Sequence, residues 1–376
     1  MEKGMPSGGV PFLDTCIIHD MSEKLKRMKG RFEMMTEQER AEIISAVRAQ
    51  LSGNLTEDIV MIQQNAEKYE KEEDGKAVAE ELLKLAYEIM PQEQTDYMKK
   101  MLFLGDKRLE EVYHEAEELK KNHKMEEALA MTEKLYQHII RNFTETPERR
   151  FYSFRNLLES NLYYVLYHPT KEMMKAPFDF TLFIGAHAYN LVEMGKAQEA
   201  IPVLQEAIRY NPVNPDPRFE LAEVYKVLKQ NDNLLTTIKE TLPICATPYA
   251  LSRCYANMGF YCIEIKDYES ALAFYYQSLI FADHPAIRGE LAIVQQRLNR
   301  RLQPPTHDEV LKVFEKYQIP FGAGAEVLDV ASQLAEQARA GGRWEEAFFY
   351  YGTIYGVTND PKAKAQMEES ANKIKK

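Results

Sequence analysis

Histidine and cysteine are the side chains that most often bind metals or act as nucleophiles, and in this sequence they are scattered. No histidine belongs to an HExxH motif or pairs with a cysteine at metal-ligand spacing. Cys254 and Cys262 share a predicted helix, where about 12 Å along its axis separates them, too far for one metal ion. We predict no metal site and no disulfide framework. The residues concerned are His19, His114, His123, His138, His168, His187, His284, His307, Cys16, Cys245, Cys254 and Cys262.

Motifs for nucleotide binding and acyl transfer are missing as well. The sequence contains neither a GxxxxGK[ST] loop nor a GxSxG elbow, and its glycine-rich stretches 4–9 and 322–324 lack a strand-turn-helix context. Acidic clusters such as Glu115 to Glu118 are typical of solvated helix faces. We therefore predict no catalytic residue, no cofactor and no enzymatic activity.

The charge balance excludes two classes of partner. The chain has 47 basic and 58 acidic residues, a formal charge of -11, so its average surface repels phosphate backbones and anionic lipid headgroups. The basic run Arg297 to Arg301 fits the end of a helix. No apolar run approaches the ~18 residues of a membrane span, and no signal-peptide core is present. We predict no nucleic acid, no membrane and a cytoplasmic location, which free cysteines suit.

The elements that would position any functional residue are helices. From Thr36 onward apolar residues return every three or four positions, and alternating β-type stretches are almost absent. Capping boxes mark several helix starts, as in Thr36/Glu39, Asn54/Glu57 and Thr306/Glu309. The pattern predicts an all-α protein with a flexible segment (1–35), an N-terminal helical bundle (36–104) and a repeat region (105–376).

The repeat region shows a period. Ala222 follows Ala188 by 34 residues, and further units carry Gly259 with Ala271, and Gly342 with Ala347. We also expect a pair of helices in 143–180, another pair in 286–317 broken at Pro304-Pro305, and a polar capping helix near 362–375. Together these units predict one ribbon of stacked hairpins from about residue 109 to the end.

These residues resemble the tetratricopeptide repeat family, whose pattern is L-G-x-x-Y, then A-x-x-x-F-x-x-A and a closing proline. The best matches are Leu221 to Tyr225 and Ala200 to Pro212. The family's tryptophan is missing from the first helices, and Leu234, Ile238 and Thr241 replace the A-F-A residues. The resemblance implies a right-handed α-solenoid of helix pairs, with small residues where two helices cross.

The resemblance also implies a binding groove, because the first helix of each pair lines the concave side of such an array. Arg253 and Asn257 can pair with a peptide's carboxylate or main-chain amides, and exposed rings supply apolar area. Aromatic residues at helical spacing fit a core equally well, so each ring is either exposed in the groove or buried. The candidate residues are Tyr189, Phe219, Glu223, Lys226, Arg253, Asn257 and Phe260.

The leading functional hypothesis is a scaffold or adaptor that binds a protein or peptide. Gly185 and Tyr189 stand where a clamp for chaperone C-termini would have Lys and Asn, which disfavours a chaperone adaptor. One alternative is a peptide-responsive regulator of the phosphatase type, which joins a helical bundle to a repeat array; a DNA-binding version disagrees with the acidic stretch 36–90. The other is a structural component of an assembly.

Overall fold

A computed structural model describes residues 35–70, 72, 75–283 and 285–374. The predicted flexible segment 1–35 therefore lies outside the described residues, except for Met35. The chain divides into two compact units, one ending at Lys100 and the other running from Met101 to Lys376.

The first unit consists of amphipathic helices. α1 begins at the predicted capping box: Thr36 Oγ1 accepts a hydrogen bond from the N–H of Glu39, whose carboxylate accepts one from the N–H of Thr36. α2 and α1 both pack on α3, around buried Ile62, Val78 and Leu82. The helices are α1 (Glu37–Arg48), α2 (Leu55–Glu70), α3 (Lys76–Ile89) and α4 (Gln92–Leu102), the last of which ends in the second unit.

The second unit is almost entirely helical. Its elements in chain order are β1 (Phe103–Leu104), β2 (Lys107–Arg108), α5 (Leu109–Lys121), α6 (Met125–Asn142), β3 (Arg149–Tyr152), α7 (Leu157–Tyr167), β4 (Glu172–Lys175), α8 (Phe180–Glu193), α9 (Ala197–Tyr210), α10 (Asp216–Val227), α11 (Asn231–Thr241), a 3₁₀ turn (Leu242–Ile244), α12 (Pro248–Glu264), α13 (Tyr268–Phe281), α14 (Pro285–Leu298), α15 (His307–Tyr317), α16 (Ala325–Ala340), α17 (Trp344–Thr358) and α18 (Pro361–Ile374).

Helical hairpins stack side by side through most of this unit. The hairpins are α5 with α6, α8 with α9, α10 with α11, and α12 with α13; α6 packs on α8, α9 on α10, and α11 on α12. One continuous core runs through them, from Leu109 to Phe314. The predicted all-α stack of helical hairpins is confirmed here, while its tetratricopeptide-type assignment and its right-handedness stay predictions.

Small residues lie where the helices of a pair cross, as the repeat pattern predicts. Ala188, Ala200, Ala222 and Ala271 are all almost completely buried. Gly259 of α12 is the closest case, because a Cβ atom there would lie 2.7 Å from the ring of Tyr275 on α13. A side chain at this position would require either the Tyr275 ring or the two helices to shift.

Residues 143–180 do not form the predicted helix pair, so that prediction is wrong. They form the parallel strands β3 and β4 with α7 between them, and α6 packs directly on α8 as if the segment were absent. This insertion lies over the loops of later hairpins: the N–H of Ser153 donates to the carbonyl of Tyr210 (2.9 Å), and Tyr152 packs in a cluster with Val213 and Ile244.

The C-terminal helices also depart from a single ribbon. Two helices, α14 and α15, lie in 286–317 as expected, but both pack mainly on α13 rather than on each other as a pair. The main partners of α16 are α17 and the insertion helix α7, with Leu158 packed among Val330, Ala331 and Ala335. The final helix, α18, packs on α17. The last three helices thus return to the side of the stack that carries the insertion, so the predicted uninterrupted ribbon to the end of the chain is wrong.

Candidate protein-binding face

The seven candidate residues lie on the first helices of three successive hairpins. Tyr189 is on α8, Phe219, Glu223 and Lys226 are on α10, and Arg253, Asn257 and Phe260 are on α12. The 34-residue period brings equivalent positions together, since the Arg253 guanidinium lies 4.4 Å from the centre of the Phe219 ring and Lys226 Nζ lies 5.0 Å from that of Phe260. We call the side of α8, α10 and α12 that carries these residues the first-helix face.

Two of the seven are not available as surface anchors. Phe219 is 2% exposed and Asn257 is 4% exposed, so both belong to the floor of the face rather than to its surface. The reason for Phe219 is the cation–π contact just described, in which Arg253 covers the ring. Tyr189, by contrast, is exposed, and Phe260 is half-buried.

The two basic residues of the face are held by acidic neighbours. Lys226 Nζ lies 2.8 Å from Glu223 Oε1 and donates a hydrogen bond to it. Arg253 Nη2 lies 3.7 Å from Glu220 Oε1 and 3.8 Å from Glu223 Oε1. Both basic side chains are mostly covered, whereas 47% of the Glu223 side chain is exposed. The prediction that Arg253 stands ready for a peptide carboxylate is therefore weakened, because its charge is already engaged.

Glu220, which the sequence reasoning missed, is the most perturbed carboxyl of the face. Burial raises its pKa to about 7, and nearby Glu223 adds to the rise while Arg253 opposes it. Its buried Oε1 has no hydrogen-bond partner among the described residues. One sequence signal pointed to it: Glu220 precedes Arg253 by 33 residues, nearly one repeat, and opposite charges one repeat apart meet on adjacent first helices.

A second carboxyl joins the face from outside the periodic region. Glu290 on α14 accepts a hydrogen bond from the Tyr275 hydroxyl at 3.4 Å. Burial raises the pKa of Glu290, Glu264 and Glu223 raise it further, and Lys226 opposes them. These influences place Glu290 in the same charge network as α10 and α12. No repeat position pointed to it, because α14 lies beyond the regular hairpins.

Around Tyr189 the face again combines an aromatic ring, a lysine and acidic groups. Lys120 Nζ of α5 lies 4.8 Å from the centre of the Tyr189 ring and 2.6 Å from Glu117 Oε2. Partial burial raises the pKa of the Tyr189 hydroxyl, and Glu193, Glu117 and Glu220 raise it further. The first-helix face therefore continues from α5 to α14 as aromatic rings, covered lysines and arginine, and acidic groups.

Other clusters of reactive residues are closed to solvent. His187 Nε2 lies 2.6 Å from Glu133 and its Nδ1 lies 3.2 Å from Thr132 Oγ1, an order that resembles a catalytic triad. Thr132 is fully buried, however, and burial lowers the pKa of His187, so a substrate has no access to this hydroxyl. The cluster joins α6 to α8.

Two buried cysteines lie in contact with each other, and the sequence did not predict this pairing. Cys245 and Cys254 lie 3.6 Å apart, sulfur to sulfur, whereas the sequence analysis compared Cys254 with Cys262. Burial raises the pKa of the Cys254 thiol, which disfavours a reactive thiolate.

The described part of the chain holds no group of three or more metal-binding side chains. Across the same residues, none of the helices combines the length and apolar composition needed to cross a bilayer.

Neither a protein-family model nor a curated protein sequence matches this chain. Among solved structures, the chain is similar to the one titled "Crystal structure of APC/C hetero-tetramer Cut9-Hcn1", with a TM-score of 0.38 and 9% sequence identity. The similarity covers 94% of this chain and 59% of that one, so this chain spans less than two thirds of its length.

Proposed function

We propose that the protein is a scaffold or adaptor whose first-helix face binds a peptide or an extended segment of another protein. The observation that carries this proposal is the pair of contacts that join α10 to α12 on this face, Arg253 over Phe219 and Lys226 over Phe260, with the exposed Tyr189 of α8 on the neighbouring first helix. Aromatic anchors beside charged groups are the composition in which binding energy concentrates at protein interfaces.

The stack of hairpins gives this face a fixed geometry. Ala222 and Tyr225 of α10, and Cys254, Tyr255 and Met258 of α12, are buried in the core that the same helices share. A partner would therefore meet side chains that the core already positions, and it would lose little binding free energy to ordering the protein.

Site-directed photocrosslinking tests the proposal in the organism that makes the protein. A photoreactive phenylalanine analogue replaces Phe260 or Tyr189 in separate variants, and in a control it replaces Glu126, an exposed residue on the second helix α6. We expect one adduct of the same mass from both face positions, lost when the other face ring is changed to alanine, and none from the control.

Crosslinks from position 126 alone, or different adducts from positions 189 and 260, would place the partner elsewhere and contradict the proposal. Circular dichroism of each variant confirms that the helices are intact. The substitution Arg253→Glu is unsuitable for this test, because it would set a carboxylate beside Glu220 and Glu223 and uncover Phe219. Loss of binding in that variant would not separate a damaged fold from a lost contact.

A further inference from the structure

We propose that the first-helix face selects a segment rich in lysine or arginine, which rests on the proposed function and assigns the chemistry of the partner. From the sequence, we expected Arg253 and Asn257 to pair with a partner's carboxylate or main-chain amides. On α10 and α12, however, Lys226 and Arg253 are mostly covered, whereas the carboxylates of Glu223 and Glu264 are more exposed, which favours a partner of positive charge.

The layering follows from exposure. Only 17% of the Lys226 side chain and 20% of the Arg253 side chain are exposed, against 47% of Glu223. Glu193 and Glu264, each one turn beyond the rings of Tyr189 and Phe260, are exposed as well. A partner that approaches the face therefore meets carboxylates before it meets either positive charge.

The charge balance points the same way. Six acidic groups share the face with three basic groups, and Glu117, Glu220 and Glu223 already lie against the basic ones. The acidic groups are Glu117, Glu193, Glu220, Glu223, Glu264 and Glu290, and the basic groups are Lys120, Lys226 and Arg253. Glu193, Glu264 and Glu290 make no ion pair within 4 Å with a lysine or arginine among the described residues, so half of the acids have no such counter-charge.

A second observation, independent of the charges, is a buried hydrogen-bond donor at the centre of the face that has no acceptor among the described residues. Asn257 is 4% exposed and lies between Arg253 and Phe260 on the same side of α12, and its Nδ2 has no hydrogen-bond partner among the described residues. An unmet buried donor is costly unless a ligand satisfies it. A main-chain carbonyl of a bound segment is the acceptor that such a partner brings.

A cationic segment matches all of these groups at once. Its ammonium or guanidinium groups form charge-assisted hydrogen bonds with Glu193, Glu264 or Glu290. An acidic segment would instead place carboxylates against uncompensated carboxylates, and it would have to take Arg253 or Lys226 from their present partners.

Three fluorescein-labelled peptides of equal length test the inference on the full chain by fluorescence anisotropy. They share the same tyrosines and differ only in having Lys and Arg, Gln, or Glu at the intervening positions. We expect the cationic peptide to bind at least about tenfold more tightly than the Glu peptide, with an affinity that falls as salt is raised. The variant Glu193→Lys with Glu264→Lys should reverse that preference, and Glu126→Lys, an exposed acid on α6, should leave it unchanged.

The outcomes separate this inference from the proposed function. Equal or tighter binding of the Glu peptide, or a preference that the double charge reversal leaves intact, overturns the cationic assignment. If the Gln or Glu peptide binds best and Phe260→Ala abolishes that binding, the assignment fails while the proposed function stands. If no peptide binds, the assignment fails, and photocrosslinking at positions 189 and 260 decides the proposed function separately. The variant Glu193→Gln with Glu264→Gln repeats the test with a smaller change, should the reversed charges disturb folding.

Discussion

The stack of hairpins and the segment inserted into it are held by different kinds of contact. In the stack, close apolar approach dominates, as where Gly259 lets Tyr275 lie against the backbone of α12. The insertion β3–α7–β4 also packs apolar side chains, but it adds buried polar groups that reach a residue far away in the chain: Glu159 accepts a hydrogen bond from Asn211 Nδ2 (2.8 Å) as well as one from nearby Arg155 Nε (2.6 Å).

This difference determines how each region should respond to change. Neighbouring hairpins pack against each other with similar shape complementarity all along the stack. The loss of one contact is therefore expected to lower the stability of the whole continuous core. A polar attachment depends on a few directed bonds, and removing one partner leaves the other buried without compensation. The insertion should therefore detach as a unit, while the stack should lose stability as a whole.

The largest loss of stability is expected from the substitution Glu159→Ala in the insertion. Glu159 is 6% exposed and satisfies the N–H of Arg155, the Arg155 side chain and Asn211, so its loss should destabilise the insertion by roughly 3 kcal/mol. Hydrogen exchange measured by mass spectrometry should show faster exchange in 149–175 and little change in α8 to α13. Glu172→Ala, an exposed change on β4, is the control. Uniform acceleration across the second unit would contradict the distinction between the two regions.

Gly259→Ala should act on the stack instead. The added Cβ would lie 2.7 Å from the Tyr275 ring, which is almost fully buried, so the ring or the helices must shift and we expect a loss of about 2 kcal/mol in the free energy of unfolding. Gly185→Ala on α8 is the matched control, because its Cβ meets no atom within 4 Å. That change should be neutral or stabilising, by about 0.5 kcal/mol. Denaturant unfolding followed by circular dichroism measures both, and equal effects would show that the close approach is unimportant.

The smallest expected effect on stability comes from Glu220, the partly buried carboxyl of the first-helix face. Burial raises the pKa of Glu220 to about 7, against about 4.3 for glutamate in an unfolded chain. Between these values the folded state binds more protons than the unfolded state, so this group's contribution to stability falls as pH rises from about 4.5 through about 7.

Glu220→Gln removes that titration. Relative to the unchanged protein, the variant should gain roughly 1–2 kcal/mol of stability on going from pH 5 to pH 8, a figure reduced for the 27% exposure of the side chain. Urea unfolding at the two pH values measures the gain, and Glu126→Gln, at an exposed position on α6 away from the face, is the control. A stability difference that does not vary with pH would show that Glu220 titrates normally.

The periodic part of the fold could be predicted because its contacts follow the sequence period. The spacing of Ala188 and Ala222 indicated the hairpins, and the candidate pairs Phe219/Arg253 and Lys226/Phe260, each 34 residues apart, do meet. Segment 143–180 was mispredicted because its aromatic and apolar residues are as compatible with a pair of helices as with the two strands and one helix that it forms. Its strands are stabilised by the Tyr210 to Asn214 loop, and no local pattern reveals that contact.

By itself, the sequence determined the helical class, the repeat length and the face on which successive first helices present their side chains. A 34-residue period places equivalent residues on neighbouring helices whatever their identity. Only the tertiary structure decided which of them are covered: Arg253 covers Phe219, α14 brings Glu290 beside α10 and α12, and Glu223 stays more exposed than Lys226 and Arg253. Burial and charge at one residue depend on all the groups packed around it, and most of those groups lie far away in the chain.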